Sequence, residues 1–207
     1  PTMEPLKTHT GVAVPLDAGN VDTDQIIPKQ FLLAVDRKGF GKHLFHQARY
    51  LDEAETQSNP EFVLNKPIYE GASILVAREN FGNGSSREHA PWALLDYGIR
   101  VVICASFGDI FRNNALGNGL LTVTLPEAAI SELFDAMYAD PGMKVTVSLE
   151  TMTVEAAGKS WGFALDDFRR RTIMEGLDAM DLTMAHAAEI EAYEAGRPAW
   201  MNRALQG

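Results

Sequence analysis

Ser73-Ile74-Leu75-Val76-Ala77-Arg78-Glu79-Asn80-Phe81-Gly82-Asn83-Gly84-Ser85-Ser86-Arg87-Glu88-His89 runs from an apolar stretch, through a loop with two glycines, into a dense polar cluster. Residues 73–77 read as a strand buried on both faces, because apolar side chains follow one another without alternation. Residues 88–97 read as a helix that stops at Gly98, where a glycine accepts the left-handed conformation of a helix end. The pattern then repeats. Residues 100–105 read as a second buried strand, 109–116 as a helix stopped by Gly117, and 120–125 as a third strand. Pro126 suits the first turn of a helix reaching about Tyr138. Strands alternating with helices predict an α/β fold with a parallel sheet, whose ligands sit outside the carboxyl ends of the strands. The octet at 82–89 occupies that place.

The flanks extend this unit into one domain over residues 1–207. Residues 9–15 read as a first strand, 16–28 as a loop rich in Gly, Asn and Asp, and 30–35 as a helical turn or two. Residues 37–67 are polar and irregular in pattern, which predicts a flexible loop, a lid or a substrate-side segment. Residues 144–149 and 151–155 alternate and predict a hairpin. Residues 166–175 and 180–195 read as helices of a C-terminal helical extension spanning 166–207.

Bulk composition narrows the function. The chain has 207 residues, 46% of them hydrophobic, and a formal net charge of −10. It carries no basic stripe of the kind that nucleic-acid binding needs. There is no run of about 18 apolar residues, so no membrane span is expected. The first residues lack a charged-then-apolar signal pattern. The one cysteine, Cys104, rules out an intrachain disulfide and suits a cytoplasmic location. Cys104 lies in the run Val101-Val102-Ile103-Cys104-Ala105 and reads as a small buried hydrophobe.

Two readings of the octet stay open on residue chemistry alone. Glycines allow backbone N–H groups to face a ligand, and a helix start favours an anion, with two hydroxyls and a guanidinium at hand. Ser85 and Glu88 also match the S-x-x-E capping box, which needs no ligand at all. Asp22 and Asp24 are open in the same way between local Asx turns and a role toward a cation. Glu88 reads as a cap or a support for Arg87, and His89 as a structural histidine.

The chain resembles a known family through three motifs in order: Gly19-Asn20-Val21-Asp22-Thr23-Asp24-Gln25-Ile26-Ile27-Pro28, then Gly84-Ser85-Ser86-Arg87-Glu88-His89, then Ser106-Phe107-Gly108-Asp109-Ile110-Phe111-Arg112-Asn113-Asn114. They are similar to the swivel domain of the aconitase superfamily, and their spacing is similar to the small subunits of 3-isopropylmalate dehydratase. The resemblance implies a swivelling β/β/α domain with a barrel-like sheet and C-terminal helices. It implies a hydro-lyase that interconverts 2- and 3-isopropylmalate in leucine biosynthesis, by removing water and adding it back. It also implies Ser85 as the catalytic base, with Arg87 and Ser86 on the dicarboxylate substrate. The resemblance places Asp24 in the first active-site loop, as a substrate-binding residue or the holder of an arginine, with Lys29 and Arg37 as the candidate carboxylate cations, although aconitase itself has an arginine at the spacing that Asp36 occupies here.

The superfamily uses a [4Fe–4S] cluster, which takes several thiolates, so one cysteine implies that the cluster belongs to a large iron–sulfur subunit, the expected partner. A homoaconitase small subunit is the nearest alternative. The apolar Phe31-Leu32-Leu33-Ala34 favours the isopropyl substrate. A hydrolase with Ser85 as nucleophile lacks Gly-x-Ser-x-Gly, and a scaffold role would leave the octet as a cap only. If Arg87 lies at the surface, Arg87→Lys should weaken substrate binding and leave stability unchanged.

Overall fold

The computed structural model describes residues 3–33 and 38–177. The elements in chain order are β1 (Thr8–Pro15), α1 (Thr23–Ile26), α2 (His46–Arg49), β2 (Ile74–Val76), α3 (His89–Tyr97), β3 (Val101–Cys104), α4 (Asp109–Gly117), β4 (Leu121–Thr124), α5 (Glu127–Ala139), β5 (Lys144–Ser148), β6 (Thr153–Ala156), β7 (Lys159–Gly162) and α6 (Asp167–Glu175). Short 3₁₀ turns add Lys29–Phe31, Phe40–His43, Val63–Asn65 and Pro67–Tyr69.

The strands form one sheet in the order β4-β3-β2-β1-β5-β6-β7. From β1 to β4 the pairs are parallel, and β1 turns the sheet by pairing antiparallel with β5, which leads into the β5–β6–β7 meander. In the parallel half, Ala13, Ile74, Val101 and Leu121 stand in one row. Val14, Leu75 and Val102 stand in the next and point the other way. Both rows are fully buried, which explains why the strands read as unbroken apolar runs. On the first face the core includes Ile130, Leu133, Phe134 and Met137 of α5, together with Val145, Val147 and Val154 from the meander. Strands from both halves of the sheet therefore close on α5, which gives the barrel-like curl. The second face packs against Ala90, Ala93 and Leu94 of α3 and against Phe111 and Ala115 of α4.

Local signals account for most of the element ends. Gly98 has φ +117° and donates its N–H to the Leu94 and Leu95 carbonyls, closing α3. Pro126 precedes α5. Asp166 caps α6 by accepting from the Arg169 N–H at 2.8 Å. Helix α4 runs through Gly117 and is capped at Asn118, one residue beyond the expected stop. The expected hairpin is β5–β6; β7 follows it without a period-2 signal, because most of its side chains are exposed.

Two expectations change. The loop at 16–28 contains α1. Of the helical turn or two expected over 30–35, the described residues show the turn Lys29–Phe31, and residues 34–35 lie outside the described residues. The segment after residue 37, expected to be irregular, is built from short helical turns whose apolar residues enter the second core: Phe40, Leu44, Phe45 and Leu64 are all at most 5% exposed. Their uneven spacing hid them in a polar sequence. The helix expected over 180–195 lies outside the described residues. Among the described residues no helix is long and apolar enough to cross a membrane.

Cys104 faces the second core and is fully buried, and that burial pushes its thiol well above the ordinary value. A buried protonated thiol is a poor nucleophile. Ellman's reagent should leave the native chain unlabelled and titrate one thiol per chain in denaturant; rapid labelling of the native protein would show that the β3–α3 layer is not closed.

Candidate active site

Parallel register sets the geometry of the site. Because β1, β2 and β3 run the same way, the loops that leave Pro15, Val76 and Cys104 emerge side by side. They hold one another through the backbone. The Gly82 N–H donates to the Val21 carbonyl at 2.7 Å, and the Thr23 N–H to the Asn83 carbonyl at 2.9 Å. On the other side the Phe81 N–H donates to the Ser106 carbonyl at 3.1 Å, and the Gly108 N–H to the Phe81 carbonyl at 2.9 Å. Side chains add to this: Asn80 Nδ2 donates to Asn20 Oδ1 at 2.9 Å, and the Asn80 N–H donates to Ser106 Oγ at 2.7 Å. Beneath them the fully buried Phe81 ring meets Phe107 and Phe111 edge-on.

Two glycines make this approach possible. Gly82 has φ +78°, and a Cβ there would run into the Phe111 ring. A Cβ on Gly108 would lie 2.6 Å from the Gly82 carbonyl oxygen. Behind the loops, Arg78 Nε donates to Asp17 Oδ1 at 2.6 Å and Tyr138 to Asp17 Oδ2 at 3.0 Å. The Arg78 hydrogen bond, aided by Tyr138, holds the Asp17 carboxyl below its ordinary range against a smaller effect of burial. This pair ties the ends of β1 and β2 to α5.

The octet does not form the capping box that Ser85 and Glu88 suggest. Helix α3 starts at His89, its cap residue Glu88 is already in helical conformation, and no side chain caps it. Ser85 and Ser86 are exposed, and among the described residues neither hydroxyl has a hydrogen-bond partner. What turns the chain here is Arg87. It is 7% exposed, and its Nη1 donates to Asp24 Oδ1 at 3.0 Å and to the Ile27 carbonyl at 3.1 Å. The guanidinium is drawn under the loop, and the serines are left on its rim. The capping box of this region is upstream: Gln25 N–H donates to Asp22 Oδ1 at 2.8 Å and Asp22 N–H to Gln25 Oε1 at 2.9 Å. Asp22 is thus the local cap, and Asp24 is the partner of the arginine.

The candidate residues fall into three groups. Ser85, Arg87 and Asp24 are brought together, with Ser86 between the first two on the exposed rim. Lys29 is exposed, two residues beyond the carbonyl that Arg87 holds. Arg37 lies outside the described residues. Thr23 was not anticipated: it is 2% exposed, and its hydroxyl donates to the Ser85 carbonyl at 3.1 Å, fixing the backbone that carries the serine. A cavity of about 470 Å³ lined by His9, Ser73, Arg100 and Asn118 lies at the amino ends of β2–β4, away from the octet. Within it His9 Nε2 and Ser73 Oγ are 2.7 Å apart and Arg100 Nη1 pairs with Glu4, while Arg100 Nε is buried without a hydrogen-bond partner.

The family model described as the aconitase C-terminal domain matches residues 3–128. The chain belongs to the aconitase C-terminal domain family. That span contains all three stitched loops and every described candidate residue. A model described as LeuD_N matches residues 131–167, and one described as the C-terminal domain of the 3-isopropylmalate dehydratase small subunit matches residues 181–201. These put the chain with the small subunits of a heteromeric hydro-lyase. The crystal structure of 3-isopropylmalate dehydratase (leuD) from Methanocaldococcus jannaschii is similar in fold, with TM-score 0.64 and 25% identity, covering 89% of this chain and 99% of that chain. The barrel-like swivel fold expected from the aconitase resemblance is the one observed.

Burial of Arg87 removes the premise of a surface ion pair and makes the cost of breaking the pair depend on which partner is removed. Removing Asp24 strands a buried guanidinium, whereas replacing the guanidinium by an apolar chain of similar length strands only a carboxylate that is 51% exposed. Asp24→Ala should therefore destabilise the isolated chain by about 2–3 kcal/mol and Arg87→Met by about 1 kcal/mol or less. Denaturant melts decide it. Equal small losses for both would mean that Arg87 does not need its partner.

Proposed function

We propose that this chain, as a small subunit of 3-isopropylmalate dehydratase, supplies Ser85 as the base and Ser86 and Arg87 as substrate contacts in the interconversion of 2- and 3-isopropylmalate. The observation that carries the reading is the pairing of exposed, unengaged hydroxyls at Ser85 and Ser86 with a buried Arg87 anchored on Asp24, at the carboxyl ends of three parallel strands.

The reaction asks for a proton to be taken from carbon beside a carboxylate, while hydroxide leaves the neighbouring carbon and an alkene forms. Water then returns the other way round. A serine hydroxyl is a weak base, and its alkoxide needs donors and positive charge nearby. The guanidinium of Arg87 and the positive end of the α3 dipole supply part of this. Thr23 holds the Ser85 backbone, so the hydroxyl is aimed by the loop and not by a bond of its own. Arg87 uses Nη1 on Asp24 and Ile27, and the Nη2–Nε edge of its fork is the one left for a carboxylate. Asp24 in this reading orients the arginine, and Lys29 serves the second carboxylate of the substrate. Leu33, 93% exposed just beyond that lysine, supports an apolar arm on the substrate over a carboxylate-bearing one.

The cluster implied by the family would supply the Lewis acid for hydroxide. This chain does not fit it: it has one cysteine, and that thiol is buried and protonated. We therefore assign the iron–sulfur cluster to the large subunit, and the complex to the cytoplasm. The isolated chain should bind no iron and turn over no isopropylmalate. An iron–sulfur absorbance band or turnover from rigorously partner-free chain would refute that assignment.

The base assignment is tested in the reconstituted pair. Ser85→Ala should cut kcat by about 10²–10⁴-fold, the usual loss for a general base. Since Ser85 caps nothing, the melt of the small chain should stay within about 0.5 kcal/mol of wild type. Near-full turnover in Ser85→Ala would sink the base role.

A further inference from the structure

Away from the octet, a set of titratable side chains lies in the segment after residue 37. The Glu55 side chain is 4% exposed. Its Oε1 accepts hydrogen bonds from Nδ1 of both His43 and His46, each at 2.7 Å. Burial favours the neutral acid, but the two histidine bonds together outweigh it and hold the Glu55 carboxyl below its ordinary range. Glu55 itself has φ +57°. A left-handed glutamate is uncommon and persists where its surroundings over-determine it.

What the cluster holds is the turn Lys29–Phe31. The Phe31 ring lies flat on His43, with centroids 3.8 Å apart and planes 8° from parallel, and meets His46 edge-on at 5.1 Å. Gln30 Nε2 donates to Glu53 Oε2 at 3.3 Å, and that carboxylate is 3.4 Å from His46 Nε2. The 3₁₀ turn that carries His43 is in turn seated on α3. Its Gly41 N–H donates to Asp96 Oδ2 at 2.8 Å, and its Phe40 ring meets His89 edge-on at 5.1 Å. From the other side Arg87 holds the Ile27 carbonyl. Both grips on the turn therefore refer to α3 and the residues just before it.

We propose that His43, seated on Glu55, and Phe31 are positioning residues that fix the Lys29–Phe31 turn relative to Arg87, so that Lys29 meets the second carboxylate of the dicarboxylate substrate. The inference rests on the substrate reading above. Neither side chain belongs to the octet that carries the proton chemistry. Loosening them moves a binding cation and leaves the base in place, so the effect falls on KM and not on kcat.

The test uses the reconstituted pair with Phe31→Ala, His43→Ala and Phe31→Tyr. Each alanine variant should raise KM about tenfold with kcat within about threefold, and Phe31→Tyr, which keeps the stacked ring, should return KM to within about twofold of wild type. A second readout needs no partner. Trypsin cleavage after Lys29 in the small chain should be at least about fivefold faster in Phe31→Ala and His43→Ala, through local opening, with the global melt little changed. Unchanged KM in the alanine variants, or a Phe31→Tyr that fails to rescue, overturns the positioning role. A wild-type pair that turns over no isopropylmalate overturns the proposed function instead, and the trypsin comparison still decides whether the ring stack holds the turn.

Discussion

A guanidinium placed 7% exposed under a glycine loop must find acceptors, and the site is arranged around that demand. Arg87 finds one carboxylate and one carbonyl, both from the loop after β1. Those two bonds join residues 63 and 60 positions apart in sequence. They also decide what the intervening serines do. With the arginine drawn inward, the backbone at 85–86 arches over it, and the hydroxyls stay on the rim without internal partners. An S-x-x-E capping box would have spent Ser85 on a backbone N–H and left the arginine free to swing into solvent. The tertiary ion pair and the local cap compete for the same few residues, and the bonds formed are those of the buried arginine to Asp24 and Ile27.

Much of the fold was legible because its signals are local. Residues 74–76 and 101–104 are buried on both faces, so their apolar runs could only be inner strands of a parallel sheet. Gly98 and Asp166 mark helix ends by chemistry that acts within one turn. The expected region of the site, past the strand ends, also follows from topology alone. What escaped the sequence depends on contacts between distant segments. Ser85 and Glu88 carry a valid cap pattern that Asp24, far upstream, overrides. Phe40, Leu44, Phe45 and Leu64 enter a core without any period, because the segment follows the surface of α3 instead of its own axis. The edge strand β7 has little buried to betray it. The octet, Asp24 and their neighbourhood were legible through the family motifs; Thr23 lay inside one of those motifs and was overlooked, since a buried hydroxyl gripping a carbonyl leaves no pattern in sequence.

The glycines show how narrow the tolerance is. Gly82 and Gly108 let the octet loop and the loop before α4 lie in contact, and the rings of Phe81, Phe107 and Phe111 fill the space under them. The site is thus placed on a packed aromatic floor and not on free-standing loops. Such a floor limits the motion of the loops that carry the serines, which is what pre-organised donors require.

On the proposed function, charge balance gives a reason for the small chain to present only part of a binding site. The chain carries a net charge of −10, so its long-range field repels a dianion. The buried Arg87 does little to reverse this at a distance, because Asp24 matches its charge at 3.0 Å. On the proposed function its value is directional, through a guanidinium held by Asp24 and the Ile27 carbonyl. Directional donors discriminate among ligands already delivered, but they do not gather a dianion against an acidic field. A second surface must close over the rim to supply field and desolvation together. On the proposed function, a heteromeric enzyme would meet that need by splitting the site, with orientation held on this chain and the remaining charge brought by its partner.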